Sequence, residues 1–234
     1  MPVTGRPAST APAVSSRWIS ALPLSLASAL VLAAPSEEDM FFKGVADVNE
    51  GELHFLETAP SAPAHHHRNR LTIDDDSLRS GWVKLDQCHE NIDAVPSSQI
   101  VYREDRIRGL RLTRIENIGR VWIEGHTVQM ENIAPAAVLC VEAETLALHA
   151  DGEGGYSLQN GPYMRRFLDG YYPMRVSMTV RLHTPRIRFL DIAPPAQAGF
   201  TVQHDAHEVG YDTWFEGRLI TVIRFRDEPL ATIR

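Results

Sequence analysis

Three consecutive histidines, His65, His66 and His67, are the residues of this chain most able to do chemistry. Neutral imidazole ligates copper, zinc and nickel. On an extended backbone, however, successive side chains point to opposite sides. The run therefore cannot close a tetrahedral site alone. His54, His89 or the His204-Asp-Ala-His207 turn would have to fold back to complete one. A Pro/Ala/Ser-rich loop precedes the run, which favours a solvent-exposed polar segment. The primary expectation is no cofactor, with a transition metal as the alternative.

A second constellation lies in Asn160-Gly-Pro-Tyr-Met-Arg-Arg-Phe-Leu-Asp-Gly-Tyr-Tyr-Pro173. Arg165 and Arg166 can grip a carboxylate or phosphate, with Tyr163, Tyr171 and Tyr172 stacking nearby, and Arg and Tyr are favoured at interfaces. The competing use is an internal clasp, in which an arginine pairs with Asp169 and the aromatics are buried between two halves of the protein. With its glycines and prolines the stretch reads as neither strand nor long helix.

Cys88 and Cys140 are the two cysteines. A bridge would close a loop of about 50 residues, worth roughly 4 kcal/mol in the chain-entropy model. Two free thiols, or a metal site using Cys88 with His89, are the competing readings. Asp74-Asp75-Asp76 lacks the spacing of a calcium loop and suits capping or a polar turn. No Gly-x-Ser-x-Gly, His-Glu-x-x-His, Walker loop or Gly-x-Gly-x-x-Gly occurs, and no pair of carboxylates has a defensible catalytic spacing.

The elements that must position these residues read as strands. Met174 to Leu182 alternates apolar with polar residues, which gives one buried and one wet face. Short β-branched and aromatic runs with turn signals every 8 to 12 residues fill the remainder, and no long window has a 3.6-residue period. The expected fold is all-β, either two β-sandwich (Ig-like) domains or one extended sandwich. The corresponding division is 34–158, a connecting stretch at 159–172, and 173–234. Ile118–Gly125 echoes Val209–Gly217, each with Trp-apolar-Glu-Gly leading onward, as two similar hairpins would.

Residues 1–33 read as a secretory signal: Arg17 precedes an apolar run that ends in small residues near Ala33. That run is short for a membrane span and holds Pro23. The formal net charge is −7, and loss of Arg6 and Arg17 with the signal would make it −9. Such a balance argues against nucleic-acid binding. The expectation is a periplasmic or secreted chain with no transmembrane segment once mature. Its role is that of a non-enzymatic binding or assembly module of a bacterial envelope, with another envelope protein as partner. A periplasmic metal-binding protein using His65–His67 is the alternative, and a hydrolase with a site assembled from distant residues is the third.

Overall fold

Leu71 and Ile73, followed by Val83 and Leu85, set the inward parity of two neighbouring strands, and the large sheet grows from that pair. The computed structural model describes residues 51–168 and 170–228. The expected signal segment and Asp169 lie outside them.

The large sheet contains β1 (His54–Leu56), β2 (His66–Ile73), β3 (Trp82–Ile92), β4 (Ser97–Val101), β5 (Ile107–Glu124) and β6 (Thr127–Leu146). To these it adds β11 (Met174–Leu182), β13 (Val202–His204) and β14 (Glu208–Glu216). The order is β1-β14-β11-β2-β3-β6-β4, with β13 also on β14 and β5 also on β6. The second sheet is formed by β7 (Leu148–Ala150), β8 (Gly155–Tyr163), β12 (Ile187–Ala193) and β15 (Leu219–Asp227), in the order β12-β15-β8-β7. The chain is all-β, as expected.

β11 lies parallel to β2 and antiparallel to β14. Strands from before residue 159 and after residue 173 thus share both sheets, and the described residues fall in one compact unit. The stretch 159–172 is not a boundary between sheets. Its first residues complete β8. The rest forms a small hairpin of β9 (Arg165–Phe167) and β10 (Gly170–Tyr172).

One apolar core joins the two sheets. Met178, Val180 and Phe215 of the large sheet pack in the same cluster as Leu158, Ile223 and Phe225 of the small one. A second, smaller core lies under β4, β5 and β6, around Val128, Met130 and Leu139. The β5–β6 ribbon reaches both regions because it kinks. Glu116–Gly119 and Asn132–Pro135, which look like turns between strands, are instead absorbed inside β5 and β6. Asn117, Asn132 and Ala136 adopt positive φ there, the pairing shifts register between Glu116 and Ile118, and the Asn117 amide donates to the Ala136 carbonyl. A bulge bends a ribbon without ending it.

Glu104–Arg106 forms one turn of 3-10 helix, and the only α-helix among the described residues is α1 (Asp75–Ser80). Asp74 caps its N-terminus by accepting from the Ser77 amide, and Gly81 closes it at φ 77°. The acidic run is therefore a cap, consistent with its lack of calcium-loop spacing.

Cys88 and Cys140 form a disulfide. They stand directly opposite each other on β3 and β6, and both are buried.

Candidate functional site

Alternation along β2 splits the histidine run. His65 and His67 face inward and His66 faces outward. His89 is the cross-strand partner of His67 and faces inward beside it. The ring centroids of His67 and His89 are 4.2 Å apart, and His65 Nε2 lies 3.0 Å from His89 Nδ1 in a hydrogen bond. His89 is thus the one expected fold-back residue that joins the run. His54 lies beside Glu52, His204 packs on Phe189, and His207 is in the β13–β14 turn.

The three inward histidines line a pocket of about 780 Å³, which is in the size range of small-ligand sites. It lies where the two apolar cores meet. Leu71, Leu85 and Met174 come from the first, and Met130, Ile100 and Val95 from the second. At its base runs a buried polar chain. The Tyr102 hydroxyl donates to Gln87 Oε1, Gln87 Nε2 donates to Asn69 Oδ1 (3.0 Å), and Asn69 Nδ2 donates to the Tyr163 hydroxyl (2.7 Å). His67 meets Tyr163 edge-on. Three of the lining residues carry a buried polar atom with no hydrogen-bond partner: His67 Nε2, His89 Nε2 and Asn160 Nδ2. Leaving such an atom buried and unpaired costs about 1–3 kcal/mol.

Burial is the main electrostatic influence on the histidines. It lowers His65 to about 4 even though Asp93 lies near, and Arg165 and His66 push the same way. It lowers His67 to about 3, helped by His65 and opposed by an Asn69 hydrogen bond. His89, buried beside both rings, lies well below the usual range. All three are neutral at pH 7. Tyr163 is raised by burial and keeps its proton.

The mouth of the pocket uses the aromatic and arginine stretch. Arg165 makes a two-pronged ion pair with Asp93, with Nε–Oδ2 at 3.1 Å and Nη2–Oδ1 at 2.6 Å. It also lies over Phe167 and Tyr172. Arg165 therefore fastens the β9–β10 hairpin to the turn after β3. Arg166 is exposed and lies over Tyr171. Tyr163 is separated from both arginines in role, being part of the pocket base. The expected clasp paired an arginine with Asp169, which lies outside the described residues; the pair seen here is Arg165 with Asp93.

On the outer face His66 has a different setting. Its Nδ1 lies 3.2 Å from Glu90 Oε2 and its Nε2 2.7 Å from Ser177 Oγ. A carboxylate, an imidazole and a serine in that order resemble a hydrolase relay. Ser177, however, sits mid-strand in β11, paired to β2 on one side and β14 on the other. The amides around it are committed to those ladders, so an oxyanion would find no donors there. Ser177 also hydrogen-bonds Asp212, which is itself held by Arg175. The group reads as a polar lattice across the sheet.

The inward histidines suit binding better than either metal or acid–base chemistry as they stand. His65 and His89 stack within 25° of parallel and His67 and His89 within 30°, so their nitrogens lie side by side. Among the described residues no three His, Cys, Asp or Glu side chains are arranged to hold a metal ion. Among the same residues no serine, threonine or cysteine is hydrogen-bonded to His65, His67 or His89. A general base is most effective with a pKa near the working pH, and these imidazoles lie far below it.

Sequence reasoning missed Asn69, Gln87, Tyr102 and Asn160. Asn69 and Gln87 occupy inward positions between His67 and Leu71 and between Leu85 and His89. A polar residue in a buried register was the signal that could have found them. Compared with protein-family models, with curated proteins and with solved structures, the chain matches none.

Proposed function

We propose that this chain is an exported, non-enzymatic binding module of a bacterial envelope and that its binding site is the pocket between the two cores. The observation that carries the reading is the pocket wall itself. Three residues that line a cavity of ligand size, His67, His89 and Asn160, each carry a buried polar atom without a partner, and a bound molecule that reached those atoms would satisfy them. The Cys88–Cys140 bond supports an oxidising compartment. Among the described residues no helix is long and apolar enough to cross a membrane.

The test is to purify the mature protein from a periplasmic extract and analyse it by native mass spectrometry, then repeat with Ile100→Trp, which fills the pocket from β4. A bound small molecule in the wild type that is missing from the variant is the expected result. Equal spectra with no adduct in either would overturn the reading.

A transition-metal role is the second reading, favoured by the gathering of His65, His67 and His89 on one face. It requires the His65–His89 hydrogen bond to open and the rings to turn. Metal content of protein purified without chelators decides it. One equivalent of copper, zinc or nickel that disappears in His67→Phe but persists in His66→Ala would move it to first place.

A further inference from the structure

The arrangement of polarity in the pocket identifies the class of ligand, an inference that rests on the binding-module reading above. The pocket sets buried polar groups among apolar walls. Its base is the Tyr102–Gln87–Asn69–Tyr163 chain together with the unpaired His67 Nε2, His89 Nε2 and Asn160 Nδ2. Its exposed lining includes Val101 at 58%, Met164 at 40% and Phe167 at 41%, with the exposed amides of Gln99 and Gln159 among them. Leu168, next after Phe167, is fully exposed. A ligand matching the buried polar groups and the apolar walls would enter with a polar head first and leave an apolar body against the walls and lip.

Charge narrows the head further. No ionised side chain belongs to the base. Among the described residues that line the pocket, Asp93 is the one carboxylate or guanidinium group, and Arg165, outside the lining, neutralises it. A charged head would surrender its hydration without gaining a counter-ion, which is strongly unfavourable in a site of this kind. The unpaired atoms specify what the head must supply instead. Asn160 Nδ2 is a donor and needs an acceptor oxygen, while a neutral imidazole nitrogen donates or accepts according to its tautomer. A carbonyl or hydroxyl oxygen answers both.

We infer that the pocket binds an uncharged amphiphile, inserted head first, whose carbonyl or hydroxyl oxygen meets Asn160 and the inward histidines and whose hydrocarbon body lies along Leu85, Met130 and Met174 toward the lip.

The test uses the full mature chain and the neutral fluorophore N-phenyl-1-naphthylamine, displaced by four ten-carbon compounds below their micellar concentrations: decanamide, 1-decanol, decanoate and decylammonium. Decanamide and decanol should displace the fluorophore at concentrations at least tenfold lower than the two ions. Asn160→Leu, similar in size, should erase most of that preference while circular dichroism shows the fold intact. Displacement by decanoate or decylammonium as effective as by the neutral pair would overturn the ligand class and leave the pocket as a binding site. A fluorophore that does not bind, together with no binding of any of the four by calorimetry, would overturn both the ligand class and the binding-module reading. If Asn160→Leu does not fold, Asn160→Asp serves in its place. An acid at that position should weaken decanamide at least tenfold, and unchanged affinity would again overturn the assignment of the head.

Discussion

Acidification should weaken this fold in a pH window set by three buried imidazoles. Burial holds His65 at about 4, His67 at about 3 and His89 well below 6.5. Above pH 6.5 each is neutral in both the folded and the unfolded chain, and the shift has no effect on stability. As pH falls through 6.5 the unfolded chain takes up protons that the folded chain refuses, so the equilibrium moves toward unfolding. The loss continues until the folded pKa is reached. Between pH 7 and pH 5 a histidine held at about 4 or 3 costs about 2 kcal/mol, so His65 and His67 together cost about 4 kcal/mol, and His89 acts in the same direction. A typical domain has only about 5–15 kcal/mol in total. The carboxylate of Asp212, held low by its hydrogen bonds to Arg175, acts at lower pH and stays outside the window. The assay is urea unfolding of the mature chain at pH 7, 6 and 5 at constant ionic strength, followed by the fluorescence of Trp82, Trp122 and Trp214. His65→Phe and His67→Phe should each remove about 2 kcal/mol of the pH 7-to-5 loss, whatever they do to stability at pH 7. A wild-type loss below about 1 kcal/mol would refute the reasoning, because it would mean that water reaches these rings freely.

Three further outcomes are expected. Replacing Cys88 and Cys140 together by serine should lower stability by up to about 4 kcal/mol, from a sequence separation of 52, as read by urea midpoints with and without reductant; a loss under 1 kcal/mol would show that β3–β6 pairing alone restrains the unfolded chain. A double-mutant cycle on Arg165→Ala and Asp93→Ala should give a coupling of about 1–2 kcal/mol, since the pair is two-pronged and only 20% and 35% exposed; coupling near zero would remove the clasp. A serine-directed fluorophosphonate should leave Ser177 unlabelled, because its strand offers no oxyanion donors, and mass-spectrometric labelling at Ser177 would restore the hydrolase reading.

Where side-chain alternation is unbroken, the sequence is a sufficient guide. Met174 to Leu182 alternates without interruption and forms β11 with those bounds. The same rule separates His66 from His65 and His67, and the set of histidines able to fold back included His89. What alternation cannot state is which strands become neighbours. β2 and β3 are joined by the short helix α1, so their pairing is local, whereas β11 arrives beside β2 from about a hundred residues away. The partner of Arg165 was hidden for the same reason. Asp93, which pairs with Arg165, lies 72 residues away in sequence.

Local breakers misled in a different way. Asn132 and the segment through Pro135 carry the chemistry of a turn, yet a strand twenty residues long runs through them. A turn residue says only that φ can be positive at that point. Whether the chain reverses or merely kinks depends on whether a partner strand continues past it, and β5 does. The tryptophan echo shows the same dependence. Trp122 leads through Gly125 into the paired strand β6, a true hairpin. Trp214 leads through Gly217 into β15, which belongs to the other sheet. Neither indole is buried in the core; Arg120 lies over one and Arg175 over the other.

The polar base of the pocket is the part of the structure least explained by folding alone. Asn69 and Gln87 occupy inward positions where leucine or valine would extend the core, and they are held by hydrogen bonds to each other and to two tyrosines. A network so satisfied is tolerated. His67, His89 and Asn160 are not fully satisfied, and apolar residues of similar shape would avoid about 1–3 kcal/mol for each unpaired atom. Stability therefore argues for their replacement, and their presence argues for a use. The use consistent with a cavity of about 780 Å³ beside them is the binding of a molecule that supplies the missing partners. On this argument Asn160→Leu should do two opposite things, raising the stability of the ligand-free chain while weakening its hold on a neutral polar head. A variant that lost both would show that Asn160 serves the fold.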